Sequence, residues 1–170
     1  MSAKDEFFKK VQESNNTQED LRSRVQANIM SFRAAMFDLT KQVDSWLNGS
    51  GIGVTTTEQS FRDETILMLP GCENLSSYKA SFCKMQNGSK MAIIEPIGIY
   101  GGTATKGWAS LAIDTPNRAP RIQKFILRLN DNGTWSIRND DAPSSMYEPL
   151  IKPESPLTED SFFQTISPLA

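Results

Sequence analysis

The stretch TQEDLRSRVQANIMSFRAAMFDLTKQVDSWL, residues 17–47, decides the reading of this chain. Val25, Ile29, Phe32, Met36, Leu39, Val43 and Trp46 follow one another at spacings of 4, 3, 4, 3, 4 and 3. Side chains at that spacing share one face of an α-helix, so the segment reads as a long amphipathic helix with a heptad seam. Thr17 is placed to cap its start, with Asp20 in the position of a capping-box acid and Glu19 beside it, where the helix dipole favours negative charge. Asn48-Gly49-Ser50-Gly51 ends it, and Gly49 suits the left-handed position after the C-cap.

The same helix carries a second apolar stripe. Met30 and Phe37 are seven residues apart with Ala34 between them, and at 100° per residue they lie roughly 120° from the centre of the seam. Either Phe7, Phe8 or Phe162 from another helix covers them, or they form a contact surface for a partner protein or a second copy.

Working outward, residues 4–13 read as a short separate helix with an apolar edge of Phe7, Phe8 and Val11, interrupted at Ser14-Asn15-Asn16. Beyond the long helix the chain is strand-like: 52–57, 65–69, 77–85, 91–100, 106–113, 121–129 and 134–138. Pro96 predicts an edge position or a bulge. Asn87-Gly88 reads as a two-residue hairpin loop pairing Phe82 with Ile93 and Tyr78 with Ile97. A three-residue loop at Asp131-Asn132-Gly133 sets Leu129 against Trp135 and Leu127 against Ile137, a better apolar match than a two-residue loop. Residues 140–156, with four prolines, read as a surface loop, and Thr158 as the cap of a last short helix carrying Phe162, Phe163 and Ile166. The expected fold is a single α+β domain over 1–170. The long helix lies on an antiparallel, meander-like sheet of five to seven strands, a short C-terminal helix closes it, and a homodimeric coiled coil is the alternative use of the seam.

Composition excludes several chemistries. The chain has no histidine and two cysteines. That removes Ser-His-Asp and Cys-His catalysis, imidazole metal sites and a four-thiolate zinc site. Cys72 and Cys83 read as reduced, buried thiols, with a disulfide between them as the alternative. A net charge of −2 disfavours nucleic-acid binding by phosphate neutralisation. No run approaches a membrane span and Met1–Lys10 lacks an apolar leader, so a cytoplasmic chain is expected.

The remaining candidates have ordinary explanations beside the functional ones. Gly98-Ile-Tyr-Gly-Gly-Thr-Ala-Thr-Lys-Gly107 could cradle a phosphate, yet it fits neither nucleotide fingerprint and no helix follows it. Asn130-Asp131-Asn132-Gly133 with Asp140-Asp141 suggests calcium, but position twelve counted from Asp131 is Ala142, not glutamate. The acids Glu58, Asp63, Glu64, Glu95 and Asp114 stand near strand ends, and Glu95 alone lies inside an apolar run, where an outward-facing strand position is the plainer account. Five Asn-x-Ser/Thr triplets, at Asn15, Asn48, Asn74, Asn87 and Asn132, are mostly turn chemistry. Arg118, Arg121, Lys124, Arg128 and Arg138, interleaved with Trp135, resemble a nucleic-acid face or a solvated strand face.

No catalytic, metal or cofactor residues are assigned. The sequence leads to an intracellular protein-binding module, such as an inhibitor, an immunity-type protein or a secretion chaperone. Its expected contact residues are Met30, Ala34, Phe37, Arg118, Arg121 and Trp135. The alternatives are a small-molecule binder or carboxylate enzyme using a helix–sheet cavity, and an assembly subunit that self-associates through its helix.

Overall fold

The first element, α1, is one continuous helix from Ala3 to Leu47, 45 residues, or about 67 Å at 1.5 Å per residue. The structure, a computed structural model, describes residues 2–141, 146 and 153–170. Ser2, not Thr17, caps the helix: its hydroxyl accepts from the Asp5 N–H, and the Asp5 carboxylate accepts from the Ser2 N–H. The Thr17 hydroxyl donates to the Glu13 carbonyl at 2.9 Å, a mid-helix contact. The expected break at Ser14-Asn15-Asn16 is absent because extending an existing helix costs only the propensity difference, up to ~0.7 kcal/mol for each such residue, while nucleating a second one costs more.

Seven strands follow: β1 (Gly53–Arg62), β2 (Ser77–Asn87), β3 (Lys90–Gly98), β4 (Thr105–Asp114), β5 (Ile122–Asn130), β6 (Trp135–Asn139) and β7 (Ser155–Pro156). They pair antiparallel in chain order as one seven-stranded meander. The fold is therefore α+β. The apolar run 65–69 is not a strand: α2 (Glu64–Leu67) occupies it, because the Asp63 carboxylate accepts from the Thr65 N–H at 2.9 Å and caps a helical turn. A short C-terminal helix, α3 (Glu159–Thr165), starts at a box between Thr158 and Ser161 and buries Phe162 against Trp46, ring centroids 5.1 Å apart. Of the proposed 140–156 loop, 142–145 and 147–152 lie outside the described residues.

The seam of α1 is spent inside the chain. Val25, Ile29, Phe32, Met36, Leu39 and Val43 are all buried, and they join one apolar cluster with Met85, Ile94, Leu111, Ile113, Leu127 and Ile137 of the sheet. Phe32 sits so closely on β4 that a Cβ on Gly107 would lie 2.3 Å from its ring, so this position excludes any side chain. By contrast every residue from Ala3 to Thr17 is exposed. The helix first meets the body where Gln18 Nε2 donates to the Pro70 carbonyl and Arg22 donates to the Gly71 carbonyl, each at 2.8 Å.

The second hairpin has the expected register, Leu129 opposite Trp135 and Leu127 opposite Ile137, with Gly133 at φ +85°. The first differs by two residues: Asn87 pairs with Lys90 and Cys83 with Ile94, so the loop is Gly88-Ser89. A slip of two keeps every side chain on its face, so apolar alternation does not distinguish the two registers. Gly88, at φ +62°, takes the first central position, where a type II′ turn wants glycine. Pro96 sits at a register irregularity between β3 and β4. Among the described residues no helix is long and apolar enough to cross a membrane.

Because packing differs so sharply along α1, Phe32→Ala should cost about 3–5 kcal/mol of stability. Phe8→Ala, on the exposed stretch, should cost less than ~0.5 kcal/mol. Urea denaturation of the two variants measures both.

Candidate functional site

Laid on the sheet, α1 forms a ridge with a trough along each flank. Met30, Ala34 and Phe37 lie on its outward side, with Met30 64% and Phe37 57% exposed. No described residue of α3 or of the start of α1 covers them, since Phe162 is turned to Trp46 and Phe7 and Phe8 are themselves 62% and 59% exposed.

The first trough, about 600 Å³, runs between α1 and β1, with Met30, Ala34, Phe37, Thr56, Thr57 and Ala80 among its walls. Its rim carries Arg33, Lys41, Asp44 and Glu58. Arg33 donates to Glu58 at 2.8 Å, and the Lys41 ammonium stands 6.0 Å from the centre of the Phe37 ring. The second trough, about 570 Å³, lies on the other flank over the β5–β6 turn, with Ala34, Ala35, Asp38, Gln42, Gly133 and Trp135 among its walls.

The expected contact residues thus separate. Met30, Ala34 and Phe37 come together in the first trough. Trp135 is a core residue, 9% exposed, whose edge reaches the second trough beside Ala34. Arg118 and Arg121 line neither. Arg121 is held by Asp114 at 2.7 Å, and Arg128 by Glu154 at 2.6 Å. That hydrogen bond from Arg128 keeps the Glu154 carboxyl below its ordinary range. Arg138 stands 3.6 Å from Asp140, so three of the five cations of the supposed nucleic-acid face already hold carboxylates.

Of the scattered acids, the buried one is Asp63, while Glu95 is exposed. Asp63 Oδ1 accepts from the Thr65 N–H and hydroxyl, and Oδ2 accepts from the Tyr78 hydroxyl at 2.6 Å and the Ile99 N–H at 3.1 Å. A Cβ on Gly98 would lie 2.6 Å from Asp63 Oδ1, so the carboxylate fills the space a side chain would take. Burial, followed by the bond to Asp63, drives the Tyr78 hydroxyl far above its ordinary pKa. With four donors placed on it, Asp63 ties β1, α2, β2 and β3 together. It is a structural clamp, and it borders neither trough. Its sequence signal was the pattern Asp63-x-Thr65 before an apolar run, a helix cap.

This clamp also bears on the glycine-rich stretch. The Ile99 and Tyr100 N–H groups are bound to Asp63 and Thr65, and the Tyr100 hydroxyl accepts from Asn28 at 2.9 Å. The N–H groups at its start are therefore spent inside the chain. The calcium candidate is likewise occupied: Asp141 accepts from the Lys124 N–H and from Asn139, and Ala142 lies outside the described residues. No group of three or more histidine, cysteine or acidic side chains stands ready for a metal among the described residues.

Both cysteines are buried and unbonded, and burial, with a smaller contribution from Asp44, pushes the Cys83 thiol up to about 11. No family model matches the chain, and no curated protein and no solved structure matches it either.

The clamp and the thiol predict an alkaline loss of stability. Cys83 and Tyr78 both hold their protons more tightly folded than unfolded. Their contributions are complete below the unfolded values of 9.0 and 10.0 and decline as pH rises past them. Urea midpoints should fall from pH 9 to 11, and less steeply in Cys83→Ala. Tyr78→Phe, which removes one donor from a buried carboxylate, should cost about 1–3 kcal/mol at pH 7.

Proposed function

We propose that this chain is a protein-binding module that works through a protein–protein interface, without catalysis, and that the trough between α1 and β1 is its contact face. The observation that carries this is the uncovered pair Met30 and Phe37, two large apolar side chains on the part of the helix whose other face, Val25 to Leu47, is buried on the sheet. Isolated exposed apolar residues need no explanation, but two of them stand with Ala34 along the helix wall of one concave surface, an apolar patch of the kind that interfaces use. The charged side chains Arg33, Lys41, Asp44 and Glu58 surround that apolar helix wall, the usual anatomy of such a face.

The reading fits an inhibitor, an immunity-type protein or a secretion chaperone, each of which acts by covering a partner. The buried acid does not favour an enzyme, because Asp63 is saturated with donors and away from both troughs.

A photo-crosslinking residue placed at Met30 or at Phe37 tests the proposal in the producing cell, with Ile122, 47% exposed and lining neither trough, as control. The expected result is one polypeptide adduct shared by positions 30 and 37, lost from Met30 when Phe37→Glu is added and absent from position 122. Phe37→Glu should fold normally, with a change in stability under about 0.5 kcal/mol. No adduct at either trough position overturns the reading, and an adduct made only with the chain itself replaces it with self-assembly.

A further inference from the structure

The two edges of the sheet are finished differently. The last strand, β7, is two residues long and ends on Pro156, which has no N–H to offer. That is a blunted edge. The first strand, β1, pairs ten consecutive residues with β2 in unbroken register, and no described strand takes its other side. It contains no proline, no lysine and no bulge, three of the devices that keep edges from pairing; its charged residues are Glu58, held by Arg33, and Arg62 at its end. Alternate residues of such a strand turn their N–H and C=O groups outward, about five of each here, along about 33 Å of backbone. This edge borders the trough that holds Met30 and Phe37.

We propose that the open edge of β1 takes up an extended segment of a partner protein as an added antiparallel strand, whose inward side chains enter the trough. The proposal rests on the trough being the contact face and names what occupies it. Backbone groups along the edge require an extended backbone, and the apolar helix wall of Met30, Ala34 and Phe37 calls for apolar side chains at every second position. Charge narrows the choice further. The rim holds two cations, Arg33 and Lys41, and two anions, Asp44 and Glu58, and Arg33 and Glu58 already satisfy each other at 2.8 Å. The trough therefore carries no net charge and is complementary to an uncharged segment.

A second copy of the chain does not meet these requirements. Edge-to-edge pairing would present Thr55-Thr56-Thr57-Glu58-Gln59-Ser60 at the middle of the strand, with Val54 and Phe61 only at its two ends, and would bring a second Glu58 to the rim.

The probe is a ten-residue peptide alternating valine and threonine, blocked at both ends and fluorescently labelled. It is compared with the same peptide N-methylated at alternate amides and with one bearing glutamate in place of valine. Binding by the unmodified peptide, with both controls at least tenfold weaker, is expected. Hydrogen exchange should slow at alternate β1 amides when it binds. Of Thr55→Pro and Thr56→Pro, neighbours that face opposite ways, the outward-facing one should fold and lose at least tenfold in peptide affinity. The other should weaken the β1–β2 ladder.

Equal affinity for the N-methylated peptide, or no binding of any peptide, overturns strand addition. So does a dimer in sedimentation that either proline variant dissolves, since the edge would then belong to a second copy. If the crosslinks at positions 30 and 37 persist while the peptide arm fails, the trough remains the contact face and only the strand occupant is wrong. If those crosslinks are absent, the contact face itself is wrong.

Discussion

Burial of the α1 seam against one face of the sheet is the constraint on which the other features depend. Six seam residues from Val25 to Val43 are closed off from water, and they meet a sheet face built from Met85, Ile94, Leu111 and Leu127. Burying side chains of this size is worth about 1.5–3 kcal/mol each before entropy is charged against it. A meander of seven strands with one face uncovered would expose a continuous apolar surface, and an isolated helix of this sequence would have nothing to hold its seam. Each element therefore completes the other. The contact is close enough at Gly107 that Phe32 fixes the helix along β4 to within a side chain's width.

That same docking creates the troughs. A cylinder laid on a sheet touches it along a line, and the sheet is wider than the helix. Residues flanking the contact line are covered only if loops or further helices fill the corners. Here α3 fills the corner at Trp46, and the stretch beside Met30 and Phe37 has no equivalent among the described residues. The exposed apolar stripe is thus a consequence of having one long helix and one small one, and its composition distinguishes it from a mere gap. Lysine or glutamate at positions 30 and 37 would have served solubility; methionine and phenylalanine do not.

How much of this was legible depends on the range of the interactions concerned. The seam, the second hairpin and the α3 cap were readable because each is set by neighbours within a few residues: spacing along α1, the Asp131–Gly133 loop, and Thr158 with Ser161. The continuity of α1 was missed because Ser14-Asn15-Asn16 weaken a helix without stopping one that is already formed. The first hairpin was misplaced by two residues, the one slip to which a two-residue repeat is blind. At the site, the stripe of Met30, Ala34 and Phe37 was visible on a helical wheel, and its pairing with β1 was not, since nothing local records that residue 37 lies across from residue 56. Arg118, Arg121 and Trp135 are close in sequence, but the fold sends the two arginines to the β4–β5 turn and the tryptophan into the core.

Asp63 shows how one buried charge can organise a fold with no catalytic part in it. Its four donors come from α2, β2 and the start of the loop after β3, and they converge at the end of β1. Desolvating a carboxylate is costly unless its lone pairs are filled, and here the cost is met by groups that only the native arrangement brings together. The clamp therefore penalises any other placement of β1 relative to β3. That specificity bears directly on the open edge. A strand that offers one side to an outside partner must be held firmly on the other, or the partner would compete with the sheet for it. The unbroken ten-residue ladder to β2, anchored at Arg62 by the adjoining Asp63, gives β1 that fixity and leaves its outer side the part of the sheet that can change hands.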